Sequence, residues 1–122
     1  MTKVVFFKSN GVFWGFEEQG HTDWGNSGED ILCSAISAMT MLIINTIEVS
    51  YSSLVDYEID EETTNVRVSA RGALPNCESD EKKNFAISGL IMGYYYQLND
   101  LVEEYYDYLE VDVIEKEYKG NK

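Results

Sequence analysis

Seventeen consecutive residues, Ile31 to Ile47, carry no charge in a chain where a quarter of all residues are charged. A bilayer-spanning helix needs about 20 apolar residues, and this stretch is shorter and carries Ser34, Ser37, Thr40, Asn45 and Thr46. It therefore reads as a helix of a protein core, running from Asp30 to about Val49. Its apolar residues, among them Leu32, Ile36, Leu42, Ile43 and Ile47, cover more than one face. Such a helix has to be deeply buried or also meet a second subunit. The rest of the chain must supply the surface that buries it.

That surface is a sheet. Residues 3–7 and 12–18 are strand-like and flank Ser9-Asn10-Gly11, turn chemistry suited to a tight hairpin. Val55, Tyr57 and Ile59 alternate with acidic residues, and Val66, Val68 and Ala70 alternate with Arg67 and Ser69. These are two half-exposed strands joined by Glu61–Thr64. After Pro75, Ile87, Leu90, Ile91, Tyr94, Leu98, Leu101 and Tyr105 recur at helical spacing and predict a second helix over 81–106. Leu109, Val111 and Val113 alternate with Glu110 and Asp112, which allows a further edge strand at the C-terminus. The order ββαββα(β) predicts an α+β two-layer sandwich, with a mainly antiparallel sheet and both helices on one face. A chain of 122 residues suits a single domain, expected over 1–118, with 119–122 frayed.

With 22 acidic and 9 basic residues the formal charge is −13. Binding phosphate backbones requires clustered Lys and Arg, and the cations here are scattered. Direct nucleic-acid and membrane partners are not expected, whereas a basic protein partner is compatible with the charge. The apolar run before Lys8 is only four residues long, too short for the core of a secretion signal. With two cysteines in addition, a reducing cytoplasm is the expected location. One histidine and two cysteines form no cluster at metal-ligand spacing, so neither a metal nor another cofactor is expected.

The segment from 20 to 37 could carry chemistry. His21, the sole histidine, ends a strand, and Cys33 lies near the start of the following helix, with a glycine-rich loop, Gly20 to Gly28, between them. A thiol gains nucleophilicity beside an imidazolium and near a helix N-terminus, and free N–H groups there can stabilise an oxyanion. With Asp30 as N-cap, Cys33 would be the third helical residue. Asp30 could instead accept a hydrogen bond from the His21 imidazole. Taken alone, a free cysteine in an apolar helix is ordinarily a small core residue, and both readings of Cys33 stay open on composition.

The whole string Gly20-His21, then Gly28-Glu29-Asp30-Ile31-Leu32-Cys33-Ser34-Ala35-Ile36-Ser37 resembles the signature of the ribosomal-processing cysteine protease family, Prp. That signature is Gly-His, a variable loop, then Gly-x-Asp-Ile-Val-Cys-Ala-Ala-Val-Ser. The resemblance implies a cytoplasmic endopeptidase, usually homodimeric. Its implied activity is removal of an N-terminal extension from a basic precursor, large-subunit ribosomal protein twenty-seven. It implies Cys33 as nucleophile, His21 as general base and then acid, and Asp30 as supporting residue. Gly20 and Gly28 would let the loop move, Trp24 and Gly25 within it would meet substrate, and Ser37 is also a family position. Departures from the pattern lie in Thr22-Asp23-Trp24 and in 107–122.

Two other readings compete. A non-catalytic acidic module could hold a basic ribosomal protein, with Cys33 as core; a thiol redox protein would need Cys77 within disulfide reach of Cys33. Otherwise Cys77 reads as incidental, and the tyrosines at 94–96 and 105–108 as core and rim. Glu17, Glu18, Asp23, Glu29 and Asp30 are expected to form an acidic rim that steers a cationic partner.

Overall fold

Asn10 and Gly11 both adopt positive φ, at 50° and 82°, the two-residue turn whose twist matches that of paired strands. It joins β1 (Thr2–Ser9) to β2 (Val12–Gln19) as an antiparallel hairpin, with a bulge between Phe7 and Lys8. The computed structural model describes residues 1–20 and 27–120. The remaining elements are α1 (Ser27–Asn45), β3 (Asp56–Ile59), β4 (Val66–Ser69), α2 (Glu81–Tyr105) and β5 (Leu109–Glu115). The sheet order is β3-β4-β2-β1-β5. All neighbours are antiparallel except β1 and β5, which run parallel. The mainly antiparallel α+β sandwich expected from the pattern is what forms.

Both helices cover the face that carries Val4, Phe6, Phe13 and Phe16. The Tyr94 and Tyr95 rings of α2 lie 5.6 and 5.3 Å from Phe6, and Tyr94 lies 5.0 Å from Phe16. Helix α1 buries Leu32, Ile36, Ile43 and Ile44, with Ile47 in the π turn Thr46–Ser50 that closes it. That turn is marked by Tyr51 N–H donating to the carbonyl of Thr46 at 2.9 Å. Ile31, Met41, Leu42 and Val49 stay exposed on its other side. In α2, Asp80 is the N-cap and accepts from the Lys82 N–H at 2.9 Å.

The opposite face is partly covered by the chain end. Trp14 Nε1 donates to the Lys116 carbonyl at 2.8 Å, the Tyr118 ring meets Trp14 edge-on at 5.3 Å, and the Lys116 ammonium stands 4.6 Å from the Phe7 ring. Asn121 and Lys122, part of the tail expected to fray, lie outside the described residues. The outer edge, β5, presents Glu110, Asp112 and Glu115, and charge on an edge strand discourages pairing with other chains.

Gly15 lies in the second strand, opposite Ser69. A Cβ there would stand 2.6 Å from the Val68 carbonyl oxygen and 3.2 Å from Phe7 Cδ2. The carbonyl belongs to the neighbouring strand and cannot rotate away. Gly15→Ala is expected to cost about 1–3 kcal/mol, read as a lower urea midpoint at unchanged slope; an unchanged midpoint would mean that the two strands can separate at this point.

Candidate functional site

Periodicity puts Cys33, Ser34, Ser37, Thr40, Met41 and Ile44 along one side of α1. All six line a groove of about 630 Å³. Glu18 from β2 lies in its wall, and Ile59, Thr64 and Val66 of the β3–β4 hairpin complete it. Thr64 holds φ at 61°, a left-handed conformation unusual for a β-branched residue. The turn is held by the Thr64 N–H donating to the Asp60 carbonyl at 2.7 Å, while the Asp60 carboxylate accepts the Glu62 N–H at 2.9 Å. This wall had no signal in the sequence beyond the strand pattern.

Cys33 is half-buried, with Sγ 3.7 Å from the Thr2 hydroxyl. Thr2 also adjoins Gly20, whose φ of 79° and close approach to the Met1 carbonyl admit only glycine. The end of β2 and the thiol thus share Thr2 as a neighbour. Ser37 is exposed one turn beyond Cys33 in the same groove. His21, Trp24 and Gly25 lie outside the described residues. Cys77 is half-buried in a different cavity, beside Pro75 and Tyr118, and both cysteines are free thiols. Among the described residues no three metal-ligating side chains come together.

The start of α1 corrects one expectation. The helix begins at Ser27, so Asp30 is not its N-cap but an exposed residue of its first turn, and Cys33 falls in the second turn. Glu29 and Asp30 are acidic residues of the kind that suit a first turn, and the sequence offered no sharper stop than its glycines. Free N–H groups belong to the first turn only, so the helix end acts on the thiol less directly than a third-position cysteine would allow.

The acidic rim is also redistributed. Glu17 faces away from the helices and is paired with Arg67 at 2.7 Å across the strands. Burial would raise its pKa, but the hydrogen bonds from Arg67 and Gln19 outweigh it and hold the carboxyl below its usual range. Glu29 is buried, and Asp23 lies outside the described residues. Glu18 is 1% exposed, on the inner face set by the two-residue period of β2. Its Oε2 accepts the Tyr94 hydroxyl at 2.6 Å and the Thr40 hydroxyl at 2.8 Å, and these two hydroxyls lie 3.3 Å apart. Glu18 therefore puts its carboxylate in the groove wall rather than on the rim, while Asp30 stays exposed. Strand alternation could have placed Glu18 inside; nothing local identified its partners.

Burial, then the charge of Glu18 and the hydrogen bond to it, push the Tyr94 phenol well above its usual range. A group whose folded pKa is raised contributes stability in full below its unfolded pKa of about 10 and loses it as pH climbs toward the folded value. The urea midpoint is expected to fall above about pH 10. Tyr94→Phe should cost about 1–3 kcal/mol at neutral pH, since Glu18 loses a donor, and should make the alkaline decline shallower. An unchanged alkaline decline in Tyr94→Phe would assign it to other groups.

Comparison with known proteins bears on this groove. A family model described as Cysteine protease Prp matches residues 1–110. Among solved structures, SMU.848 from Streptococcus mutans aligns with a TM-score of 0.77 at 24% identity, covering 95% of this chain and 99% of that one. An essential ribosomal processing protease Prp from S. aureus, in complex with a substrate peptide, aligns at 0.76 and 19% identity over 93% of this chain and 100% of that one. The same protease with a covalently linked product peptide aligns at 0.73 and 20% identity, with the same coverage. At these identities the structural likeness is one of fold. A search of curated proteins found no match.

Proposed function

Because this chain belongs to the cysteine protease Prp family and is accordingly a cysteine protease, we propose that it processes a ribosomal protein precursor, with Cys33 as nucleophile and His21 as its base. The observation that carries the reading is the open groove along α1 with the Cys33 thiol in its wall. The S. aureus protease of the same fold, held with substrate and with covalently linked product peptide, supports it.

In this mechanism His21 takes the thiol proton and Sγ attacks the scissile carbonyl. The C–N bond breaks as His21 returns the proton to the leaving amine, leaving a thioester on Cys33. Water, giving its proton to His21, attacks the thioester, and the C–S bond breaks to release the acid and restore the thiol. Asp30 supports His21, and the Gly20–Gly28 segment with Trp24 and Gly25 contacts substrate, Ser37 standing beside it. The substrate is the N-terminal extension of large-subunit ribosomal protein twenty-seven, and the enzyme acts in the cytoplasm as a homodimer.

The test is incubation with extended and unextended forms of that ribosomal protein, followed by intact-mass measurement. Wild type should shorten the extended form at one junction, while Cys33→Ala and His21→Ala leave it whole. Binding without cleavage would overturn the reading in favour of a module that only holds the ribosomal protein.

A further inference from the structure

Helix α1 buries one side against the sheet, lines the groove with a second and leaves a third open. Ile31 and Leu42, each 61% exposed, share that third side with Ala38 and Asn45, which are also exposed, and with the half-buried Ala35. Val49 in the closing π turn, 70% exposed, extends it. From Ile31 to Asn45 the intervals are four, three, four and three residues, the spacing by which two helices pack side by side along a seam. At 3.6 residues per turn these positions fall within an arc of roughly 80°. Single exposed apolar side chains are ordinary, but a continuous stripe of them marks an interaction surface.

The stripe also carries no charge, in a chain of 22 acidic and 9 basic residues, and Glu29, Asp30 and Glu48 bracket it. A basic partner would find no carboxylate along it. An anionic bilayer would meet a chain of charge −13, and α1 lacks the Lys and Arg with which interfacial helices hold headgroups. What complements an uncharged apolar stripe on an acidic protein is the same stripe on another copy. We propose that α1 packs along this stripe against α1 of a second copy of the chain, across a two-fold axis. The inference rests on the homodimer of the proposed function and adds the surface that forms it. Asn45, a polar residue in an otherwise apolar seam, would fix register and partner number. Cys33 and Ser37 lie on the groove side of α1, so pairing along the stripe leaves both grooves open.

The test is sedimentation of the full chain over a series of concentrations. Leu42→Glu and Leu42→Lys, each placing like charges together at the axis, should each weaken the wild-type dimer by about a hundredfold. An equimolar mixture of the two should recover association to within about tenfold of wild type, which misfolded variants could not do. Asn45→Asp, a mild change at an exposed position, should weaken the dimer by about tenfold and keeps the test decisive if neither Leu42 variant folds. Phe85→Glu, at a still more exposed apolar residue of α2, should leave it within a few-fold. Wild-type association should tighten as salt screens the repulsion between two acidic copies, the opposite of binding to a cationic partner. A dimer indifferent to the Leu42 and Asn45 variants, or one dissociated equally by Phe85→Glu, would overturn this surface and keep the homodimer. A wild-type chain that stays monomeric would overturn both, and so would a monomer that binds phosphatidylcholine vesicles through Leu42. Precursor cleavage, read separately, would stand or fall on its own.

Discussion

Replacing Cys33 by alanine should lower kcat/KM for precursor cleavage by about four to six orders of magnitude, the range seen when the nucleophile of a covalent protease is removed. The size of the effect follows from the chemistry. Without Sγ no acyl-enzyme forms, and no other thiol lines the same groove among the described residues. Ser34 and Ser37 are nearby hydroxyls, but each would need its own activated base to substitute. Stability should hardly change, because Cys33 is only half-buried and its polar contact with Thr2 is a long 3.7 Å. Parallel measurement of cleavage by mass spectrometry and of thermal unfolding checks both halves. Cleavage near the wild-type rate with an unchanged melting temperature would remove Cys33 from the reaction and return it to the role of a small packing residue.

The largest stability effect is expected at Phe6. Its side chain is fully buried in the middle strand pair, and its ring lies 5–7 Å from four others: Phe13, Phe16, Tyr94 and Tyr95. These come from β2 and from α2, so the ring joins the sheet to the helix that covers it. Phe6→Ala deletes the transfer free energy of a whole ring and leaves a cavity that four bulky neighbours cannot close. The expected cost is about 3–5 kcal/mol. Domains of this size have a total stability of about 5–15 kcal/mol, so the variant should melt roughly 15 °C lower or fail to fold at physiological temperature. A loss below about 1 kcal/mol would show that the aromatic cluster repacks freely, contrary to the close packing of protein interiors.

Most elements were legible because each answers to neighbours a few residues away. Asn10-Gly11 specifies its turn by the positive φ that both residues tolerate. The apolar spacing of Ile87, Ile91, Tyr94 and Leu98 specifies a buried helix stripe, and all four are buried in α2. In the candidate site, placing Cys33 and Ser37 one turn apart needed only the helical repeat, and both line the groove. The start of α1 was less legible, since a run of glycine, serine and acidic residues permits a helix to begin at Ser27 or at Asp30 with similar capping chemistry. Of the five carboxylates expected to form a rim, Glu17 and Glu18 depart for a different reason: adjacent residues of a strand point to opposite faces, so these neighbours in sequence have unlike surroundings.

By itself, the amino-acid sequence determined the number and kind of elements, the antiparallel hairpins and the residues around Cys33 that mark the Prp family. These rest on turn chemistry, on periods of two and 3.6 residues, and on a contiguous string. Only the tertiary structure decided that β5 returns parallel to β1, that Lys116 and Tyr118 cover Trp14, and that Glu18 meets Thr40 and Tyr94 inside the groove. Each of these joins segments more than twenty residues apart. Their pairing depends on which faces meet once the core closes, and no local pattern encodes that choice.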